Sequence, residues 1–161
     1  MIRSLMRSIG VIIAGLIVAM VLIIAVEVVT AIFHPFPPGA DATDHEVVEA
    51  HVEKFPHWVL AIAVVGWGVT TFVSAWIATR LGTGRHPAHG IALGSLLLLA
   101  AAFNMSMLPY PVWFVVANLL ILPLAILGAV KFGRAPQSHR SREAGRVYMD
   151  NHSSRPADRG R

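Results

Sequence analysis

Residues 9–33 read IGVIIAGLIVAMVLIIAVEVVTAIF, twenty-five residues whose one charge is Glu27. At about 1.5 Å per residue, residues 9–33 as a helix exceed the roughly 30 Å of a bilayer's hydrocarbon core. In lipid an isolated segment satisfies its backbone only as a helix. A basic start (Arg3, Arg7) and a Val29-Thr30-Ala31 sequence also suit a secretory signal. The apolar run exceeds the roughly 7–15 residues of a signal core, so an uncleaved span is expected.

Three more runs follow the same logic. Residues 57–79, 89–107 and 112–130 are apolar and carry no Lys, Arg, Asp or Glu. Hydrophobic residues make up 55% of the 161-residue chain and charged residues 14%, where a soluble domain has about 25% charged. The expected fold class is therefore an all-α membrane protein, a four-helix transmembrane bundle with a short amphipathic outer helix. One membrane domain over residues 1–134 is expected. Residues 135–161, basic and poor in apolar residues, read as a disordered tail.

The connections are unequal. Residues 34–56 open with His34-Pro35-Phe36-Pro37-Pro38-Gly39, whose prolines cannot continue a helix. Thr43 followed by Glu46 has the spacing of a capping box. Val48, Val52 and Phe55 follow at helical spacing, predicting the amphipathic helix at the membrane surface. Residues 80–89 form a short basic turn, and Leu108-Pro109-Tyr110-Pro111 a tight hairpin. Pro123 interrupts the fourth span and predicts a kink. Gly66, Thr70, Ser74 and Ala78 place small side chains on one helical face, and Gly90 and Gly94 open the third span. Such residues let helices approach closely.

Twelve of the thirteen Lys and Arg residues lie in the N-terminus, the 80–89 turn and the tail; Lys54 is the exception. The positive-inside rule then predicts an inner-membrane, multi-pass protein with both termini cytoplasmic and residues 34–56 outside. Trp58, Tyr110 and Trp113 would form an outer aromatic belt. The arginines beside the spans are expected to meet anionic lipid at the cytoplasmic face. They lack the interleaved aromatics of an RNA-binding surface, so no nucleic-acid partner is expected. The small-residue stripes leave room for a second copy of the chain or another membrane partner.

Four polar residues fall at similar depth toward the outer side: Glu27, Asn104, Asn118 and His57. They form the candidate polar pocket. An intramembrane acid usually faces protein or water and often marks an ion or substrate path. Glu27 would then titrate in a cation or proton site. Two other readings compete: Glu27 accepts hydrogen bonds from Asn104 or Asn118 and sets helix register, or it simply reaches the interface. Registry and anchoring are favoured.

The outer loop offers His45, Glu49 and His51. His45 and Glu49 share a helical face, but His51 does not, and a zinc site needs three or four converging ligands. They are weak metal candidates, and a solvated acidic face is the preferred reading. No His-Glu-x-x-His frame is present. The chain has no cysteine, which excludes thiolate metal sites and cysteine nucleophiles. Ser74 and Ser106 lack a base at matching depth. The chain is therefore expected to be no enzyme and to need no cofactor.

The stretch from Glu27 through His34-Pro35-Phe36-Pro37-Pro38-Gly39-Ala40-Asp41 and the acidic helix resembles a group of small uncharacterised bacterial four-span membrane proteins with a Pro-rich first extracytoplasmic loop. The Gly66-Trp67-Gly68 region and the Leu108-Pro109-Tyr110-Pro111 turn are similar too. The resemblance covers residues 9–134 and implies the fold but no activity. Small multidrug resistance transporters also have four spans and a Glu in the first. This chain departs from them in the off-centre position of Glu27 and the length of the 34–56 loop. The expected role is interaction or sensing without catalysis. The alternatives are a small proton-coupled transporter or channel using Glu27, and metal handling by the outer loop.

Overall fold

A computed structural model describes residues 2–82 and 86–134. The 135–161 tail lies outside the described residues, as does the Thr83–Arg85 part of the basic turn. The fold is all-α: α1 (Ile2–Phe33), α2 (His45–Glu53), α3 (His57–Leu81), α4 (Pro87–Met107) and α5 (Val112–Gly133). Four of them, all but α2, are long and apolar enough to cross a membrane. The protein is a multi-pass membrane protein built as a four-helix bundle. Most helices overrun the apolar stretches read from the sequence; α1 begins seven residues before residue 9, because polar residues at a membrane boundary continue a helix without cost.

The centre of the bundle is α3, which packs on α1, α4 and α5. Helix α4 also packs along α5, whereas α1 meets α4 over a short length only. Glycines set these distances. A Cβ on Gly66 would collide with Val26 of α1, and one on Gly15 of α1 would reach Leu93, Ala78 and the Ser74 carbonyl. The 66–78 stripe of α3 thus faces α1. Gly90 lies in the groove between Ala75 and Thr79 of α3 and Val130 of α5, and Gly94 against Ile126 of α5 alone. Outward faces remain apolar, with Ile32 69%, Leu99 67% and Leu120 62% exposed. These are the surfaces lipid would cover.

Two apolar clusters hold the ends of the bundle. On the side of the chain termini, Val11, Ala78 and Leu93 pack with Leu16 and Leu97. On the side of α2, Leu60, Ala63, Val64, Met105 and Phe114 pack with Val26, Phe55, Trp67 and Tyr110. Helix α5 runs through Pro123 as a single helix.

The start of α2 corrects the capping-box reading. Asp44, not Thr43, is the N-cap, and its carboxylate accepts from the Glu46 amide at 3.0 Å. Thr43 is engaged earlier: its amide (2.8 Å) and hydroxyl (2.7 Å) both donate to Asp41. These two bonds hold the Asp41 carboxyl below the usual carboxylate range. Acidic residues three apart therefore serve successive turns, with Gly39 at φ 78° reversing the chain just before them. Removing an N-cap costs about 1 kcal/mol. Asp44→Ala is expected to speed amide exchange in His45–Glu53 about fivefold and to leave the four long helices unchanged. Hydrogen exchange with peptide-level mass readout checks this.

Candidate functional site

Between the two apolar clusters α1 and α4 separate. They are close near the termini, where Gly15 meets Leu93 and His89 Nε2 lies 3.0 Å from Ser8 Oγ. Further along they splay, and a cleft of about 210 Å³ opens between them. Ile23 and Glu27 of α1 form one wall, and Leu97, Ala100, Ala101 and Asn104 of α4 the other. Trp67, Thr70 and Thr71 of α3 line it with Leu122 of α5. The small side chains of Ala100 and Ala101 leave the space that a Leu pair would fill.

Helix geometry sets the depths. Glu27 is six residues from the end of α1 and Asn104 three from the end of α4, or about 9 Å and 5 Å at 1.5 Å per residue. Trp67 and Leu122 lie ten residues into their helices, about 15 Å. The cleft thus occupies the half of the bundle nearer α2. Its polar side chains come from three helices: Glu27, Asn104 and the Thr70–Thr71 pair. Both threonines are buried, whereas Glu27 and Asn104 are open to the mouth. Among the described residues no side chain pairs with the Glu27 carboxylate, and the one ion pair is His45–Glu49. The nearest backbone bond is local, Thr30 Oγ1 donating to the Glu27 carbonyl at 2.9 Å.

Of the four residues proposed for a polar pocket, Glu27 and Asn104 line this cleft, and Asn118 and His57 do not. Asn118 is fully buried on α5, with its Nδ2 donating to the Phe114 carbonyl at 2.9 Å and its Oδ1 unpaired among the described residues. It lies at suitable depth but is turned into its own helix. His57 is exposed at the end of α3, its ring edge-on to Trp113 with 5.8 Å between centroids. Thr71, Ala100 and Ala101 were missed. The only sign of them was the step from a Leu run to Ala100-Ala101-Ala102, which marks where α4 becomes thin.

Tyr110, in the α4–α5 turn, packs in the apolar cluster on the α2 side. It stacks on Phe114 with centroids 4.6 Å apart. Burial, with a contribution from the nearby negative charge of Glu27, pushes its hydroxyl up to about 12. The ring thus stays neutral.

The outer-loop candidates separate. His45 Nε2 and Glu49 Oε1 are 3.2 Å apart on the exposed face of α2. His51 points elsewhere and stacks on His34. Among the described residues no three His, Asp or Glu side chains converge as metal ligands, and His51 is removed from the set by its helical phase. The arrangement fits an i,i+4 ion pair.

No family model, no curated protein and no solved structure matches the chain.

Proposed function

We propose that this is a non-enzymatic protein of a bacterial inner membrane that recognises a ligand in the Glu27 cleft, in an interaction or sensing role. The observation that carries this reading is the unpaired Glu27 carboxylate facing a cleft of about 210 Å³ whose other polar groups come from α3 and α4. A registry residue would be expected to sit on a partner side chain. A carboxylate, a carboxamide, two hydroxyls and an indole face suit a ligand with a cationic or N–H-donating head and an apolar body. The distribution of Arg3, Arg7, Arg80, Arg85, Lys131 and Arg134 supports cytoplasmic termini in contact with anionic lipid. The unfilled apolar faces of α1 and α4 suit lipid or a second copy.

The reading is tested by thermal unfolding in detergent against a panel of amines, guanidines and neutral or anionic analogues. A ligand at a hundred times its Kd stabilises the native state by about 2.7 kcal/mol. At least one cationic compound is expected to raise the unfolding temperature of the parent protein and not that of Glu27→Gln. Equal shifts in both would place binding elsewhere and end this reading.

A second reading is proton-coupled transport. It is favoured by the position of Glu27, open at the mouth yet within a membrane helix. It predicts ligand-driven proton release in proteoliposomes that Glu27→Gln abolishes. Proton release unchanged in that variant would remove it.

A further inference from the structure

Helix α2 is joined to the bundle differently from the others. It has no helix-on-helix packing along its length. Apart from the buried Val52, its attachment is an aromatic cluster at the α1 end. His34, just past the end of α1, stacks on His51 of α2 with ring centroids 4.4 Å apart and planes at 24°. The His34 Nε2 lies 3.4 Å from the His51 carbonyl. Phe36 covers the His51 ring at 4.3 Å, and Phe55 packs against His34 at 4.5 Å and His51 at 5.2 Å. Phe55 continues into the Leu60–Met105–Phe114 cluster. Two imidazoles therefore form the central pair of the joint between α1 and α2.

We propose that the His34–His51 stack is an acid-sensitive latch: neutral, it holds α2 against the end of α1, and protonation of both rings releases it. Stacked imidazoles tolerate one positive charge, but two at this separation repel. The phenylalanines around them supply no acceptor for a second proton.

The neighbouring groups strengthen the effect. Lys54, at the C-cap of α2, adds a positive charge beside His51. Burial, then His34, then Lys54 hold the His51 ring below the ordinary imidazole value of 6.5. No carboxylate offsets them: Glu49 is engaged by His45 at 3.2 Å and Glu53 is exposed. Glu46 is at the other end of α2, with Asp44 and Asp41 in the turns before it. From α3, His57 is turned to Trp113. From α1, Glu27 is seven residues below His34, about 10 Å along the helix. From the α4–α5 turn, Tyr110 stays neutral.

The sign follows from proton uptake. Closed α2 binds fewer protons than open α2 wherever His51 is held neutral by closure. Opening is then favoured as pH falls below the free imidazole value of about 6.5. Each extra proton bound on opening multiplies the open-to-closed ratio about tenfold per pH unit. Above that value the closure is complete and pH-independent. On the orientation proposed above, the latch samples the pH outside the cytoplasmic membrane. It stands whatever the cleft holds.

The chain has no cysteine, so spin labels can be placed without background. Ala31→Cys on α1 and Ala50→Cys on α2, both exposed, report the separation by double electron–electron resonance in phosphatidylcholine nanodiscs at pH 8, 6.5 and 5. A narrow distance distribution at pH 8 is expected to give way to a longer, broader one at pH 5. The open fraction should rise between pH 6.5 and 5. The same pair in a His34→Phe, His51→Phe background keeps the aromatic cluster without its titration and should stay narrow at every pH. An unchanged distribution in the parent overturns the latch. So does a pH response that survives in the Phe background. A broad distribution at pH 8 in the parent overturns it as well.

Discussion

Gly90→Leu is expected to lower the unfolding temperature of the bundle in detergent further than any other single change at a glycine in the long helices. A Cβ at Gly90 would lie 2.6 Å from the Ala75 carbonyl oxygen and 3.2 Å from Val130 Cγ2, and would overlap Thr79 Oγ1. The first of these is backbone, which cannot rotate away. Thr79 Oγ1 is itself donated to the Ala75 carbonyl at 2.9 Å, so the collision falls on a bonded pair. Three helices meet at this point, and moving α4 outward would open its seams with both α3 and α5. Forcing extra methylenes into a packed site costs about 1–3 kcal/mol. Gly90→Ala should lie in that range and Gly90→Leu above it. Gly94→Leu should cost less than Gly90→Leu, because its nearest neighbours are flexible atoms of Ile126. Gly10→Ala is the control: nothing lies within 4 Å of the added carbon, and alanine gains up to about 1 kcal/mol over glycine in a helix. Tryptophan fluorescence during heating measures all four. A neutral Gly90→Ala would mean that α3 and α4 are not in contact there.

The same glycines show what the sequence could and could not tell. Depth along each helix was legible, since a fixed rise per residue converts position into height. The spans, the thin stripe at 66–78 and the shared level of Glu27 and Asn104 all follow from that conversion. Rotation about each helix axis was not legible. Gly90 and Gly94 are four residues apart, which reads as one face toward one neighbour. They instead straddle the groove between α3 and α5. Asn118 has a suitable height, yet its phase turns it to the Phe114 carbonyl, an internal bond that a mid-helix amide makes when no partner faces it. Hydropathy carries no phase when every face of a helix is apolar, which is the condition of all four long helices. The cap of α2 failed for a different reason. Asp41, Thr43 and Asp44 are all competent turn residues, and which one caps depends on how the Pro37–Gly39 reversal delivers the chain.

Glu27→Leu is expected to leave the bundle as stable as the parent or more so, while removing ligand recognition. No described side chain is bonded to the Glu27 carboxylate, so its loss breaks no side-chain hydrogen bond or ion pair among the described residues. On insertion scales an acid at a helix centre costs about 2.5–3.5 kcal/mol and leucine is favourable by about 0.5 kcal/mol. Glu27 is off centre, so a gain of about 2 kcal/mol in membrane insertion is the scale to expect. A residue that only set register would behave in the opposite way. Its removal would lower the unfolding temperature and spare any ligand response. The two outcomes separate in one experiment, in which unfolding temperature and the shift produced by a bound amine are measured on the same samples. Glu27→Gln supplies the intermediate case, keeping shape and hydrogen-bonding capacity without charge. Should Gln retain the ligand shift and Leu lose it, recognition would rest on hydrogen bonding at the cleft mouth instead of on charge. Should both variants unfold early with the shift intact, Glu27 would be a structural residue, and the cleft between α1 and α4 would be a packing gap with no role in binding.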